Sequence, residues 1–290
     1  MLCRAVATGR FWRGAALTGG GKSGLVESLR EMSPTRQPVT EYFSELVGVY
    51  AQFRPDYPDA AAAYVLGNEE APVCVADIGC GTGISTRWLA RNGGQVTGVE
   101  PNDEMRGEAT RESHPGTAYH VGSAEDTGLG SSSFDRVICA QSFHWFDFEK
   151  AVSEFHRILR PEGRLALIWN VRERTSPFGA AYDGVIKRAH EAALEKGLVV
   201  RSRREADLTD TLLFAGIEKK VLPHSMGMKR EELIGYASSN SYFPTEGALR
   251  RELVQSLSDL FEEHQRGGRI VFKWDTELTL ADRVPVGEED

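Results

Sequence analysis

Val75-Ala76-Asp77-Ile78-Gly79-Cys80-Gly81-Thr82-Gly83 reads as a hydrophobic strand that ends in an acid and then in three alternating glycines. Glycine accepts positive φ and carries no Cβ, so such a turn lets a nucleotide-like ligand reach bare backbone. The helix predicted to begin near Ile84 adds unpaired N–H groups at the same point. The spacing is G-x-G-x-G, whereas the dinucleotide fingerprint G-x-G-x-x-G would need a glycine at Ile84. The turn therefore points away from a nicotinamide cofactor. The next strand signal, Gln95-Val96-Thr97-Gly98-Val99-Glu100, also ends in an acid. It lies about twenty residues beyond the turn, where a carboxylate can accept both ribose hydroxyls. Strand, glycine turn, helix, strand and acid form the nucleotide-binding half of a doubly wound sheet, with ligand at the carboxyl ends of the strands.

Alternating strand and helix signals continue on both sides and predict an α/β fold with a mostly parallel sheet. A helix starts at the N-cap Thr40, with Tyr42, Phe43, Leu46, Val47 and Tyr50 at helical spacing, and lies across the cofactor mouth. Helices are predicted at 60–66, at 85–91 with Trp88 and Leu89 inward, at 102–112, and at 148–159 behind the cap Asp147. Strands are predicted at 117–121 and 164–169. After Asn170 the alternation breaks into a charged stretch with a helix near 180–196. Strands at 218–224 and 269–280 follow, with helices at 229–237 and 246–265, the latter capped by Thr245 and ended by Gly267. The expected organisation is a tail over 1–39 and one domain over 40–290 covered by segments 171–210 and 226–266.

A hydrophobic content of 41% in 290 residues supports a sizeable core. The net charge of −8 argues against a nucleic-acid surface and for a small-molecule partner. No apolar run approaches the roughly 18 residues of a membrane span. Cys3, Cys74, Cys80 and Cys139 are scattered without a C-x-x-C pair, so reduced thiols and no metal site are expected. That fits a soluble intracellular, cytoplasmic protein. The first 26 residues hold Arg4, Arg10, Arg13 and Lys22 but no acid, the bias of a mitochondrial or plastid transit peptide and equally that of a disordered tail. Gly19-Gly20-Gly21-Lys22-Ser23 is not a P-loop, because Ala16 stands at the first glycine position and no strand precedes it.

Three further patterns follow the glycine turn in order: Gly122-Ser123-Ala124-Glu125-Asp126, Phe134-Asp135-Arg136-Val137-Ile138-Cys139-Ala140 and Ile158-Leu159-Arg160-Pro161-Glu162-Gly163-Arg164-Leu165. With Asp77-x-Gly-Cys-Gly-Thr-Gly they resemble the class I S-adenosylmethionine-dependent methyltransferases. Three more stretches narrow the resemblance: Tyr50-Ala51-Gln52-Phe53-Arg54-Pro55-Asp56-Tyr57-Pro58, Gln141-Ser142-Phe143-His144-Trp145-Phe146-Asp147 and Ser238-Ser239-Asn240-Ser241-Tyr242-Phe243-Pro244. They are similar to the small-molecule subgroup that includes trans-aconitate methyltransferase-like proteins. The resemblance spans about Tyr50 to Asp282 and implies a seven-stranded sheet whose final strand is inserted antiparallel.

The resemblance implies S-adenosylmethionine as cofactor, and each of its groups needs a partner. Asp77 and the Gly79 carbonyl face the ammonium, with Cys80, Gly81, Thr82 and Gly83 completing the cradle. Glu100 takes the ribose, Ala124 and Glu125 the adenine edge, and Pro101 and Met105 its apolar face. Ala140 and Gln141, after the fourth strand, border the cofactor. Arg54 is the partner for the methionine carboxylate or for an acidic substrate, since a guanidinium binds a carboxylate bidentately. Tyr50 and Trp145 offer aromatic faces to the sulfonium, Trp145 on the substrate side, with core packing as the alternative for both.

Methyl transfer is an in-line displacement in which positioning supplies most of the acceleration. A carboxylate acceptor needs no base, whereas a hydroxyl or ammonium group benefits from a nearby histidine. His144 is the candidate base, and a structural histidine pinning the loop is the alternative. Ser239, Ser241 and Tyr242 are candidates for an oxygen-rich acceptor, against a helix end rich in local bonds. Arg172 and Arg174 favour an anionic acceptor or form a solvated face. The expected protein is a monomeric or weakly dimeric methyltransferase acting on a carboxylate or hydroxyl oxygen of a small molecule. Two competing readings are an inert S-adenosylmethionine-binding module and a nicotinamide-dependent oxidoreductase, which lacks its Tyr-x-x-x-Lys pair.

Overall fold

The computed structural model describes residues 47–67, 71–197 and 208–285. The predicted tail and Thr40 cap, with Tyr42, Phe43 and Leu46, lie outside the described residues. Seven strands form one sheet: β1 Cys74–Ile78, β2 Gln95–Val99, β3 Thr117–His120, β4 Phe134–Ala140, β5 Leu159–Arg172, β6 Phe214–Met228 and β7 Ile270–Arg283. Their order is β3-β2-β1-β4-β5-β7-β6. The first five are parallel, and β7 runs antiparallel between β5 and β6, as expected. The chain leaves β1 toward β2 on one side and returns to β4 on the other. That reversal opens a crevice beyond the carboxyl end of β1.

Strand β1 is buried at all five positions because helices cover both faces of the parallel sheet. Side chains alternate strictly across it. Ala76, Ile78, Val137 and Cys139 join one core with Phe155 and Trp169, while Val75, Ile138 and Ile168 join a second with Trp88 and Leu89. The covering helices are α1 Val47–Phe53, α2 Asp59–Leu66, α3 Ile84–Arg91, α4 Asp103–Arg111 and α5 Phe148–Ile158. Asn102 caps α4 by accepting the N–H of Met105, and Asp147 caps α5 by accepting that of Lys150.

The covering segments contain α6 Pro177–Glu195, α7 Arg230–Ser238 and α8 Gly247–His264. Their apolar faces bury Tyr182, Leu233, Tyr236 and Leu257 against Phe272 and Trp274 of β7, a third core. β6 and β7 are longer than predicted, pairing from Phe214 beside Arg283 to Met228 beside Ile270. The period-two pattern of β7 continues through Ile270, Phe272 and Trp274, where helices replace the parallel sheet as the buried neighbour. Thr245 does not cap α8. Glu246 occupies the N-cap in extended conformation without a side-chain hydrogen bond, and Gly247 turns the chain with φ +89°.

Cys80 and Cys139 are free, buried thiols, whereas Cys74 departs from expectation and is disulfide-bonded. Among the described residues no helix is long and apolar enough to cross a membrane, and no His, Cys, Asp or Glu cluster could hold a metal.

Candidate active site

A cavity opens at the carboxyl ends of β1, β2 and β4. Its floor is the glycine turn. Gly79 and Cys80 donate their N–H groups to the Val99 carbonyl at 2.9 and 3.2 Å, so β1 and β2 hold the turn between them. Gly79 has φ +68°, and a Cβ there would lie 2.8 Å from that of Ser142. Gly81 has φ +55° with only Met105 Sδ nearby, at 3.6 Å from an added Cβ. The first glycine is thus required by packing and the second leaves main chain bare. Gly83, in left-handed conformation, caps α3 behind the wall.

Glu100, 7% exposed, reaches the same turn. Its Oε2 accepts the Gly81 N–H and its Oε1 the Asn102 N–H, both at 2.9 Å. Burial pushes its pKa up against those two bonds. Each oxygen keeps a lone pair, so the carboxylate lines the cavity with capacity left for hydroxyl donors. Pro101 and Met105 extend the wall beside it.

Asp77 does not line the cavity. It shares strand parity with Val75, which faces α3, and its Oδ2 accepts from Ser85 Oγ and Thr86 Oγ1, both at 2.7 Å. Its Oδ1 is buried without a hydrogen-bond partner. Burial pushes its pKa up to about 6, opposed by the two hydroxyls and reinforced by the charge of Glu100.

The opposite wall comes from outside the glycine motif. Arg54, at the end of α1, lies 4.8 Å from the Tyr50 ring and donates through Nη2 to the Ser239 carbonyl at 3.0 Å. After β4, Ala140 and Gln141 line the cavity, and Gln141 holds φ +60°, which is costly outside glycine. Its N–H donates to the Ile168 carbonyl at 3.0 Å and its Nε2 to that of Asn170 at 3.3 Å. Trp145 follows on a single 3₁₀ turn, Phe143–Trp145.

That turn sets His144 off the cavity wall, the position of the structural alternative. Successive 3₁₀ residues point about 120° apart. With Trp145 on the wall, His144 faces away and packs its ring against Trp145 and Trp169, at 4.8 and 5.3 Å. Ala124 is core, and the Glu125 carboxylate accepts the Asp147 N–H at 2.9 Å, so neither reaches the wall. Ser239, Ser241 and Tyr242 also lie off it: Ser239 Oγ donates to the Tyr236 carbonyl at 2.7 Å, and Tyr242 meets His190. Tyr236, Asn170, Tyr57, Ser142 and Phe146 line the cavity instead. Tyr236 was discoverable, since it precedes Ser239 by three residues on the same helix.

Comparison with known proteins agrees with this geometry. The family described as "Methyltransferase domain" matches residues 76–167. An uncharacterized methyltransferase of Mycobacterium bovis is 31% identical over 234 residues, covering 80% of this chain and 90% of its own. The chain belongs to the class I S-adenosylmethionine-dependent methyltransferases. A putative type II methyltransferase from Anaeromyxobacter dehalogenans superposes with this methyltransferase at TM-score 0.64 and 25% identity, over 81% of this chain and all of the other. Phosphoethanolamine N-methyltransferase 2 of Haemonchus contortus, solved with S-adenosylhomocysteine, shares the fold at TM-score 0.52 and 18% identity, over 85% of this chain and 58% of the other. The nicotinamide reading is thereby replaced, and S-adenosylmethionine is the cofactor.

The residues of this methyltransferase fit that cofactor. Three buried polar atoms around the turn and wall have no partner: Asp77 Oδ1 can accept, Thr82 Oγ1 can donate or accept, and Arg54 Nε can donate. A ligand carrying hydroxyls and a carboxylate meets Thr82 and Arg54 at the wall, and the buried carboxylate of Asp77 behind the turn favours an ammonium in front of it.

Proposed function

We propose that the enzyme methylates an oxygen of a small molecule, a carboxylate in preference to a hydroxyl. The observation that carries this reading is Arg54: it is the one cation among the described residues of the cavity wall, and no free base accompanies it. The wall's other ionisable groups are tyrosines, Cys80 with its thiol pKa raised by burial, and Glu100, already bonded to two backbone N–H groups. A hydroxyl acceptor must lose a proton during transfer, whereas a carboxylate is ionised beforehand. The resemblance to trans-aconitate methyltransferase-like proteins supports the same acceptor class.

When bound, S-adenosylmethionine supplies a methyl group activated on a sulfonium. In this reading the cofactor is held by the bare turn from Gly79 to Thr82, by Glu100 at the ribose, and by Pro101 and Met105 at the adenine. Asp77 balances the ammonium from behind the turn. Tyr50 and Trp145 present aromatic faces, which attract a cation without offering it a nucleophile. Tyr236 and Asn170 border the acceptor.

Incubating a metabolite pool with the protein and deuterated-methyl cofactor tests the reading by mass spectrometry. The expected product carries the labelled methyl and loses it to mild hydroxide, as an ester does. A labelled product stable to hydroxide overturns the carboxylate assignment, and absence of any labelled species counts against a small-molecule acceptor.

A further inference from the structure

Phe53 and Arg54, at the end of α1, both engage the C-terminal half of α7. A Cβ on Gly235 would lie 2.4 Å from Phe53 Cγ and Cδ2 and 2.6 Å from Cε2, closer than any tolerated contact. Gly235 sits inside a helix, where glycine is otherwise unfavourable, so the crossing of α1 over α7 is what requires it.

The crossing sets Arg54. Its guanidinium lies 4.8 Å from the Tyr50 ring and 5.7 Å from that of Tyr236. Nη2 donates to the Ser239 carbonyl at 3.0 Å and to Asn240 Oδ1 at 3.4 Å. Asn240 is itself fixed, donating through Nδ2 to the carbonyls of Ala237 at 2.9 Å and Tyr236 at 3.4 Å. The cation thus stands at the C-terminal end of α7, where exposed carbonyls favour positive charge. One edge of the guanidinium is committed to the covering helix, and Nε is buried without a partner.

We propose that Gly235 and Asn240 are positioning residues that present Arg54 Nε to a ligand carboxylate, making one side chain the link between bound ligand and α7. The inference rests on the reading of Arg54 as the carboxylate partner. Both the methionine portion of the cofactor and an acidic acceptor carry that chemistry.

Calorimetry with wild type, G235A, N240A and the double variant G235A/F53A tests it in two arms. The first compares S-adenosylhomocysteine with its decarboxylated analogue. The second, at saturating S-adenosylhomocysteine, compares succinate and phenylacetate with their amides. Wild type is expected to prefer the carboxylate form by about tenfold or more in one arm, which identifies the source of the carboxylate. G235A and N240A bring that ratio close to one, with affinity for the carboxylate-free compound nearly unchanged. G235A/F53A recovers the preference, because removing the ring makes room for the new methyl. If G235A does not fold, N240A carries the comparison. A wild-type preference that survives in the folded variants overturns the positioning role and leaves the Arg54 reading intact. No preference in either arm of the wild type removes the Arg54 reading and this inference together.

Discussion

Glu100 accepts the backbone N–H of Gly81 at 2.9 Å, so the carboxylate that follows β2 also fixes the middle of the turn that follows β1. Removing it takes a carboxylate off the cavity wall and frees two backbone donors at once. Glu100→Ala is expected to weaken S-adenosylhomocysteine binding by about 1–3 kcal/mol and to lower the melting temperature. Calorimetry and thermal unfolding check both, and unchanged affinity would place the ribose partner elsewhere.

Asp77 has a folded-state pKa of about 6 against an ordinary 3.8. The folded protein therefore holds its proton more tightly than the unfolded chain. Its contribution to stability is highest below pH ~4, declines as pH rises to ~6 and is then level, a loss on the order of 3 kcal/mol. Asp77→Asn keeps an acceptor for Ser85 and Thr86 and cannot ionise. The variant's stability advantage over wild type in urea unfolding should grow from pH 4 to 6 and stay constant above, while its cofactor affinity falls. Parallel stability profiles for the two proteins would refute the buried-charge account.

His144 and Tyr236 exchange the importance that sequence alone suggests. His144→Ala should leave the cofactor Kd within about twofold and cause only a modest loss of turnover, since the ring touches Trp145 and Trp169 rather than the cavity. Tyr236→Phe removes the hydroxyl that accepts Trp274 Nε1 at 3.0 Å and strands a buried donor, at a cost of about 1–3 kcal/mol of stability. Melting curves and single-turnover rates on the labelled product separate the two. A collapse of turnover in His144→Ala alone would reinstate the base.

Gly79 and Gly81 should fail differently when replaced by alanine. Left-handed backbone costs a residue with a Cβ roughly 1–2 kcal/mol at either position. Only Gly79 adds a clash, with Ser142 Cβ at 2.8 Å. Gly79→Ala is expected to unfold at markedly lower urea, whereas Gly81→Ala stays folded and loses cofactor affinity because its methyl enters the cradle. Equal denaturation midpoints would contradict the assignment.

The sheet was legible because β1, β4 and β5 carry uninterrupted apolar runs and turn chemistry punctuates them. The cavity wall was legible where a turn dictates geometry, as at Gly79, Gly81 and Glu100. It was illegible where one residue of rotation decides direction. His144 and Trp145 are chain neighbours set about 120° apart on a 3₁₀ turn, and strand parity alone turns Asp77 toward α3. Ser239 carries the hydroxyl that the sequence pattern favours, but Tyr236, one helical turn earlier, lines the cavity. Asn170 gave no local signal, because its place depends on bonds to Asp56 and Thr276 at distant points of the chain.

Strand β7 passes without a break from Phe272 and Trp274, beneath the covering helices, to Leu278 and Leu280 in the central sheet, and Arg172 of β5 still pairs with Trp274. A clamshell opening of the entire cover would have to unzip that ladder. An opening that spares the ladder moves the helices that carry Tyr50 and Tyr236, α1 and α7, rather than the strands. Substitutions on those helices can then reshape the open side of the cavity without disturbing the sheet beneath it.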